Sequence, residues 1–471
     1  MVTLAAYNEV VALNKVLLEK VAQLEARIIE LEARLNKNSG NSNKPPSSDW
    51  AKKRNNSLRG KSGRATGGQP GHPGQTLKQV EKPDYILKHG IKKCEGCGYN
   101  LNDVEVSRIE KRQVFDIPKP KVEVTEHQAE VKECPHCRAV NKGVFPARVK
   151  APVQYGERAL SLGAYLSFQQ LIPEKRNEQI FKDVFGLAIS SATLGQVGEE
   201  MYGHLEPYEK SVRGLLKVAP VLHADETGEL INKKLGWLHA AVTEEATLYW
   251  THEKRGIEGM QHFNLYENFE GVVVHDGWKA YFRLNVLHAL CNVHHRRELQ
   301  GIEENYKEPW AAKMSALLLN AHKEVENQRK KGKITLTKKQ LTLLEGKYDA
   351  ILKEGFDYHA SRPVKAHQIK KRGRKPQEKG KNLLDRLKIY KTDTLLFLHD
   401  FRVPFTNNQA ERDLRMMKLK QKISGCFRSQ RGAVIFSRIR GYISTARKQG
   451  WNILDAITQA INGQPFLCSV R

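Results

Sequence analysis

The first apolar pattern along the chain is a seven-residue repeat close to the N-terminus. Its two series are Leu17, Leu24 and Leu31, and Val21, Ile28 and Leu35. Such a repeat favours a partner helix over packing on the helix's own domain, and the polar Asn14 in the same register is typical of a position that fixes strand number. We therefore predict a coiled-coil dimerisation helix over residues 1–37, ending near Asn36.

Further along, two β-branched runs each lead into an aspartate. The run VAPVLHADETG contains Asp225, and the run GVVVHDGWKAY contains Asp276. We predict a buried strand ending at each aspartate, with GWLHAAVT and ATLYWTHEK as two further strands between them. Ligands of α/β sheets bind at the carboxyl ends of neighbouring strands, so the two carboxylates are expected to meet at one edge.

A third carboxylate, Glu411, lies in the segment VPFTNNQAERDLRMMKLKQ. The segment predicts a helix beginning near Asn408, with Thr406 or Asn407 as its cap. Its apolar stripe is Ala410, Leu414 and Met417. The neighbouring face carries Glu411 together with Arg415, Lys418 and Lys422. An acid at one end of a basic face suits a metal ion beside a DNA backbone.

Three carboxylates suit two hard divalent cations, Mg²⁺ or Mn²⁺, held roughly 3.5–4 Å apart for an in-line phosphoryl displacement. Any one of these acids alone is better explained as a solvated surface charge. Two strand-terminal aspartates, a glutamate on a capped helix and a basic background together favour a catalytic centre at Asp225, Asp276 and Glu411.

Two Cys-x-x-Cys pairs lie 36 residues apart, Cys94 with Cys97 and Cys134 with Cys137. Each pair sits in a turn, and the stretch between them alternates as strands do. One pair alone could be a redox site, whereas two pairs without a thioredoxin-like context favour one structural Zn²⁺ held by all four thiolates. His127 and His136 are interpreted as bystanders.

Composition adds a strong charge bias, with 78 Lys and Arg against 52 Asp and Glu, a net charge of +26. A nucleic acid explains such a field better than an anionic membrane surface does. No apolar run approaches the roughly 18 residues of a membrane span, and cysteine usage indicates a reducing compartment. We expect a cytoplasmic protein, located in the cytoplasm or nucleoid.

At this point the residues resemble a known family, the DDE transposases of insertion-sequence family 66. The likeness rests on HADETG, HDGWKAY, CNVHHRREL, the NSGNSNKPPSS and GGQPGHPG segments, and above all RVPFTNNQAERDLRMMKLKQKISGCFRS. It implies a multidomain α+β protein with a leucine-zipper-like N-terminus, a zinc-binding domain, and an RNase H-like core interrupted by a helical insertion. The catalytic acids that it implies are Asp225, Asp276 and Glu411. Asn292 stands where the family usually has tryptophan, and Pro73 where lysine is commoner.

Pattern and resemblance together predict a domain order. It is a coiled-coil helix (1–37), a basic Gly/Pro-rich flexible linker (38–80), a zinc-ribbon-like domain (81–150), a helical DNA-binding or bridging region (151–215), the first part of the core (216–300), a helical insertion (301–392) and the second part of the core with its basic tail (393–471). The linker is either a solvated spacer or an arm that follows the DNA backbone.

Basic side chains in several segments are candidates for DNA contact. They are Lys52, Lys53, Arg54 and Arg64 in the linker, His294, Arg296 and Arg297 after the second aspartate, Lys371 and Arg372 in the insertion, and Arg415, Lys418 and Lys422 beside Glu411. His294 or Arg296 is further expected to steady the scissile phosphate. The C-terminal arginines Arg428, Arg431, Arg438 and Arg440 are either DNA contacts or solvated residues of a docking helix.

These observations predict a transposase that cleaves DNA at transposon ends and joins them to target DNA. It is expected to act as a homodimer or larger assembly, with accessory proteins of the same element as further partners and with no membrane partner. Two alternatives stay open: a structure-specific nuclease of the same fold, and a non-catalytic or co-opted sequence-specific DNA-binding protein. Strand-transfer products distinguish the first alternative, and binding without cleavage indicates the second.

Overall fold

A computed structural model describes residues 3–42, 77–362 and 377–468. The chain forms two units, one of residues 56–124 and one of residues 1–55 with 125–471. Six of the basic residues proposed for DNA contact lie outside the described residues: Lys52, Lys53, Arg54, Arg64, Lys371 and Arg372.

Helices account for most of the regular structure in the described residues. They are α1 (Leu4–Leu35), α2 (Glu157–Ala164), α3 (Glu174–Phe185), α4 (Ser191–His204), α5 (Glu206–Lys217), α6 (Ile257–Met260), α7 (Asn292–Tyr306), α8 (Pro309–Lys330), α9 (Lys338–Ala360), α10 (Lys379–Ile389), α11 (Lys391–His399), α12 (Asn408–Ser424), α13 (Gln430–Lys448) and α14 (Ile453–Ile461). The helical content predicted for 151–215 and for 301–392 is confirmed. Helix α6 is followed directly by a short 3-10 turn, Gln261–Phe263.

The strands of the described residues form two sheets. They are β1 (Val131–Glu133), β2 (Val140–Lys142), β3 (Val221–Ile231), β4 (Lys234–Val242), β5 (Thr247–His252), β6 (Val272–His275) and β7 (Leu287–Leu290). Strands β1 and β2 pair with each other, and the other five form a sheet of order β5-β4-β3-β6-β7. In that sheet β3, β4 and β5 are antiparallel neighbours, whereas β6 and β7 continue parallel to β3.

Helix α1 confirms the predicted N-terminal helix and its end, because Asn36 is the capping residue that follows Leu35. The Thr3 hydroxyl caps the other end by accepting the Ala6 N–H at 3.4 Å. The heptad side chains are exposed in this structure, with Leu24 at 64%. The apolar stripe predicted for this 32-residue helix is therefore exposed in this structure.

The start of the predicted flexible linker is an ordered turn. Residues 38–42 fold against α7, where the Asn41 amide donates a hydrogen bond to Glu304 Oε2 at 3.0 Å. The Asn41 carbonyl oxygen would lie 2.2 Å from a Cβ at position 301, so Gly301 permits this approach. Residues 38–42 of the predicted linker therefore form a turn that packs on α7, and residues 43–76 lie outside the described part.

The strand alternation between the two cysteine pairs does not become a sheet. Residues 101–130 contain no strand, and side chains such as Val114 and Val124 are each 91% exposed. Alternation needs a backbone ladder with a partner strand, whereas the segment beside this stretch is joined to it by side-chain hydrogen bonds, as between Val80 and Gln113. The short hairpin of β1 and β2 instead flanks the second cysteine pair.

Strand β3 corrects the prediction that the strand ends at Asp225. It continues to Ile231 because a tight turn at Asn232 and Lys233, both with positive φ, leads it into a long hairpin with β4. Such a turn suits the twist of a hairpin. Asp225 therefore lies in mid-strand, whereas β6 does end directly before Asp276.

The two faces of the sheet pack against different helices. Alternate residues such as Leu222, Ala224 and Val273 face a core formed with α4, α5, α13 and α14. The opposite face carries Val272 and Val274, which pack on the helices α7 to α11 in and around the predicted insertion (301–392). On that same side, α12 docks on β4 through the predicted stripe Ala410, Leu414 and Met417. Helices α7 to α11 thus cover one face of the sheet.

Candidate active site

The parallel pairing of β3 with β6 brings the two aspartates together. His223 pairs with Val274, so Asp225 lies level with Asp276 two residues further on. Side chains two residues apart in a strand share a face. Both aspartates therefore lie on the face that α12 covers.

Each aspartate is held by a backbone amide. Asp225 Oδ1 accepts the Glu226 N–H at 2.8 Å, and Asp276 Oδ1 accepts the Trp278 N–H at 2.8 Å. Among the described residues, no lysine, arginine or histidine forms an ion pair with either aspartate. Burial, and then the charges of Glu226, Asp276 and Glu411, raise the pKa of Asp225 well above its ordinary value. Two aspartates without a cationic partner are suited to a bound cation.

Glu411 lies in the first turn of α12. Because α12 docks on the sheet, Glu411 is on the same side of the sheet as the two aspartates. Its Oε1 atom is buried and accepts no hydrogen bond in the described residues. The nearest cationic group is His294, with Nε2 at 3.5 Å from Glu411 Oε1. A buried carboxylate oxygen without a hydrogen-bond donor is costly, and the neighbouring His294 imidazole supplies the nearest positive charge.

Asn407 ties the start of α12 to β3. Its side chain makes no capping bond to α12, contrary to one of the predicted possibilities. Instead, Asn407 Nδ2 donates to the Ala224 carbonyl at 2.8 Å, and Asn407 Oδ1 lies 2.9 Å from His223 Nδ1. Asn407 is 1% exposed. It thus links the helix of Glu411 to the strand residues directly before Asp225.

Cys291 joins the ends of β6 and β7 to the same helix. Its N–H donates to the His275 carbonyl at 2.9 Å, and its Sγ accepts the Asn407 N–H at 3.1 Å. Cys291, His294 and Glu411 each offer a ligand atom within 4.8 Å of the others. Burial lowers the pKa of His294, but the hydrogen bond and charge of Cys291 and the charge of Glu411 raise it to about 9.

The three predicted acids do not all lie within 4.8 Å of one another among the described residues. Two cations roughly 3.5–4 Å apart, each about 2 Å from its ligands, accommodate a wider spread of carboxylates. The three side chains offer the carboxylate oxygens that hard divalent ions prefer as ligands.

The sequence analysis did not single out a further acid, Glu226, which directly follows Asp225. Glu226 points to the opposite face, where Tyr281 Oη donates to it at 2.5 Å and Arg255 pairs with it at 2.7 Å. The Arg255 guanidinium also lies over the rings of Trp237 and Trp278, at 4.9 and 4.0 Å from their centroids. The alternation of side chains in a strand indicated that Glu226 faces away from Asp225, but not which residues it contacts.

The basic side chains near the site that are candidates for DNA contact differ in whether they already form hydrogen bonds within the protein. Arg415 and Lys422 are exposed on α12. Lys418 Nζ donates to the Gly228 carbonyl at 2.6 Å, so its ammonium is partly engaged by β3. Arg296 Nε donates to Ser315 Oγ at 3.4 Å, and Arg297 is half-buried on α7.

Three of the C-terminal arginines make contacts within the protein, which disfavours their interpretation as DNA contacts. Arg431 pairs with Glu199 at 2.6 Å, and Arg438 pairs with Glu209 at 2.8 Å. Arg440 is buried and donates to Gln169 Oε1 at 2.8 Å. These arginines hold α13 against the helices before the sheet. Arg428 is exposed.

The two cysteine pairs lie in turns of the same design, each described within its own unit. The N–H groups four residues after Cys94 and Cys134 donate to their carbonyls, at 2.9 and 2.8 Å. Gly98 and Arg138 both have positive φ at the equivalent position. Backbone N–H groups of the turn lower the pKa of each leading cysteine thiol, with Cys97 the largest contributor for Cys94 and Cys137 for Cys134. Turns of this kind present thiolates to a metal.

Comparison with known families then identifies the chain's relatives. The model of the transposase IS66 family matches residues 152–435, more than half of the chain. The chain belongs to the IS66 family of transposases. A second model, the zinc-finger binding domain of transposase IS66, matches residues 92–138 and spans both cysteine pairs. A family of unknown function matches residues 3–78, and no curated protein matches the chain.

Family membership confirms the resemblance seen in the sequence. This IS66-family transposase is a DNA-processing enzyme whose partner is DNA, and its close cysteine pairs belong to a zinc-binding domain. No helix in the described ranges is long and apolar enough to cross a membrane.

Proposed function

We propose that this transposase cleaves phosphodiester bonds at the ends of a bacterial insertion sequence and joins the freed 3′ ends to target DNA. The observation that carries the proposal is the register of β3 and β6, which sets Asp225 level with Asp276 on the face that α12 covers. The strand order, with three antiparallel strands followed by two parallel ones, supports an RNase H-like core.

Asp225, Asp276 and Glu411 are the proposed ligands of two Mg²⁺ or Mn²⁺ ions. When bound, such ions activate the attacking oxygen and stabilise the leaving oxygen of an in-line displacement. The residues themselves supply the charge and the geometry. Backbone amides orient the two aspartates, and Asn407 keeps the helix of Glu411 against β3.

DNA is proposed to approach along the exposed face of α12. Arg415 and Lys422 are exposed there and suited to contact phosphates. Two further candidates, Arg297 and the half-buried Arg296, lie on α7 on the Cys291 side of the site. His294 forms an ion pair with Glu411. We propose His294 or Arg296 as the group that steadies the scissile phosphate, with Lys418 in a secondary role because it is tethered to Gly228.

The other regions complete the proposed function. Cys94, Cys97, Cys134 and Cys137 are the proposed ligands of structural Zn²⁺, supported by the matched zinc-finger domain and by the two similar turns. Helix α1 is the proposed dimerisation element, supported by its exposed heptad stripe. Further members of the assembly and accessory proteins of the same element would act through these regions.

The test is a cleavage and strand-transfer assay on a labelled duplex that carries the terminal repeat of the element encoding the chain, with Mg²⁺ or Mn²⁺. Asp276→Asn is expected to bind this duplex but to lose at least roughly 100-fold in both reactions, because the metal stabilisation is worth several kcal/mol and each 1.4 kcal/mol is tenfold in rate. The matched control is Asp183→Asn, an exposed aspartate on α3, which should act as the native chain does.

Each departure from this result identifies an alternative. Cleavage by the native chain without joining indicates a nuclease, and binding without cleavage indicates a DNA-binding protein. Undiminished cleavage by Asp276→Asn overturns the assignment of the acids.

A further inference from the structure

A second set of metal-ligating atoms adjoins the proposed acids. Cys291, His294 and Glu411 place a thiol sulfur, an imidazole nitrogen and a carboxylate oxygen within 4.8 Å of one another. They come from two elements that meet at the sheet edge, because Cys291 and His294 lie at the start of α7 and Glu411 at the start of α12. We call these three residues the thiol triad.

The triad is preorganised by the backbone around it. Cys291 is fixed by its N–H bond to the His275 carbonyl, and its Sγ accepts the Asn407 N–H. A donor to sulfur stabilises the thiolate form that metals bind. Cys291 is 1% exposed, whereas the side chains of His294 and Glu411 are 16% and 27% exposed, so an ion can enter from their side.

The triad also has two buried polar atoms without a hydrogen bond, although Glu411 Oε1 forms an ion pair with His294 Nε2 at 3.5 Å. Glu411 Oε1 and His294 Nδ1 are both buried without a hydrogen bond in the described residues. Such atoms carry a desolvation cost that a bound cation or its water would remove. The other group of comparable composition, Glu308, His359 and Glu378, differs because His359 lies between the two glutamates at 3.1 and 2.8 Å and its atoms already satisfy one another.

We propose that the thiol triad is a binding site for Zn²⁺ or a similar thiophilic divalent ion, separate from the zinc-finger domain and sharing Glu411 with the proposed magnesium centre. Thiolate and imidazole ligands select zinc, whereas Mg²⁺ prefers oxygen ligands and near-octahedral geometry. Three protein ligands leave a fourth position for water, as in zinc sites that are not purely structural.

Because Glu411 would be a ligand in both sites, zinc binding would affect catalysis, an expectation that rests on the proposed function. An ion held by Cys291, His294 and Glu411 withdraws Glu411 from the magnesium centre. Zn²⁺ is therefore expected to inhibit the Mg²⁺-dependent reaction by occupying a site within the catalytic edge, in competition with the ions that support cleavage.

The first experiment counts zinc in the full chain and does not depend on DNA cleavage. Native protein and variants are dialysed to equilibrium against one fixed free Zn²⁺ concentration, and zinc per chain is measured by mass spectrometry. Cys291→Ser is expected to hold one zinc fewer than the native chain, because a lost ligand weakens binding by more than the roughly 10–100-fold typical of an outer-sphere partner. Cys468→Ser, which alters a cysteine that packs against the opposite core, should hold the native number.

A second readout identifies the sulfur ligand. Co²⁺ added to chain whose zinc-finger domain is filled with zinc should give a thiolate-to-cobalt charge-transfer band in the native protein and in Cys468→Ser. The band should be absent from Cys291→Ser and strongly reduced in His294→Gln, a change at a more exposed position that keeps the fold even if the buried cysteine cannot be replaced. An equal zinc count in native and Cys291→Ser chains, together with an unchanged cobalt band, overturns the proposal.

The consequence for catalysis is tested separately. Each variant's Mg²⁺-dependent cleavage is measured with and without Zn²⁺, and the ratio of the two rates is compared. Loss of zinc inhibition in Cys291→Ser supports competition for Glu411. If Cys291→Ser binds less zinc but is still inhibited by it, the metal site stands and the role of Glu411 in the magnesium centre is overturned. Failure of the triad and failure of the proposed function therefore give different results.

Discussion

At the scale of single residues, the geometry of the proposed site depends on a side chain that is neither a proposed metal ligand nor a proposed DNA contact. Asn407 forms hydrogen bonds with His223 and with the Ala224 carbonyl, and its own N–H reaches Cys291. It thereby connects the three segments that carry Asp225, Glu411 and the thiol triad. Because Asn407 is buried, its partners have no access to water as a substitute.

Asn407→Ala is expected to destabilise the protein and to slow cleavage. Removing the amide leaves His223 and the Ala224 carbonyl without a buried partner, at a cost of about 1–3 kcal/mol for each group. Urea unfolding should show the loss of stability, and single-turnover cleavage should show a lower rate in folded protein. Asn408→Ala, at the exposed neighbouring position, is the control, and equal stability of the two variants would contradict the argument.

At the scale of elements, α1 is a helix whose apolar stripe lacks a partner in the described residues. Leu24 is 64% exposed and Ile28 is 54% exposed, whereas the buried Ala33 is near the end that docks on α7. Exposed leucines at heptad spacing gain about 1.5–3 kcal/mol each when buried in a coiled coil. This helix therefore favours self-association of the chain.

Leu24→Glu is expected to convert a dimer into a monomer. A charge at a core heptad position loses the burial of leucine and adds a desolvation cost. Sedimentation equilibrium of the full chain gives the mass directly. Gln23→Glu introduces the same charge one residue away on the outer face and should leave the dimer intact. An unchanged mass for Leu24→Glu would assign the association to another surface.

The turns around the cysteine pairs are the elements that we expect to depend on zinc for stability. They have few buried apolar side chains, since large side chains such as Val114 and Val140 are exposed, so metal binding must supply much of their stability. Addition of a strong zinc chelator is expected to raise hydrogen exchange in peptides from residues 92–138 by at least tenfold. Peptides from α13 serve as the internal control and should not change. Equal protection with and without chelator would mean that these turns are stable without metal.

At the scale of the whole molecule, the basic side chains behind the net charge of +26 differ in what they contact. Arg431, Arg438 and Arg440 are engaged with Glu199, Glu209 and Gln169. Arg415 and Lys422 are exposed beside the proposed site. The positive charge thus has a structural part that holds α13 in place and a part available to DNA phosphates.

DNA binding is expected to weaken steeply with salt, because bound phosphates release counterions. Fluorescence anisotropy at several salt concentrations gives the slope of log K against log salt. Arg415→Gln should make the slope shallower by about 1, the change expected for one lost phosphate contact. Arg431→Gln removes the same charge from a residue paired with Glu199 and should leave the slope unchanged. Equal slopes for all three proteins would exclude Arg415 from the interface.

Local periodicity was sufficient to predict several parts of this protein. The heptad repeat predicted α1 and its end, the stripe of Ala410, Leu414 and Met417 predicted the buried face of α12, and the insertion was correctly predicted to be helical. These patterns repeat within one element, so neighbouring positions carry the whole signal. The motifs around the acids also sufficed to recognise the family that the comparison confirmed.

Tertiary structure alone decided the features that depend on distant segments. Nothing near Asp225 indicated that its strand runs on to Ile231, because that depends on pairing with β4. The contacts of Asn407 with His223, and of Glu411 with His294, join residues more than 100 positions apart. Whether a charged side chain faces DNA or a buried glutamate, as Arg438 does, is likewise set by which helices pack together. Sequence determines which side of an element is apolar, whereas the partners of its polar side chains are determined only when the elements meet.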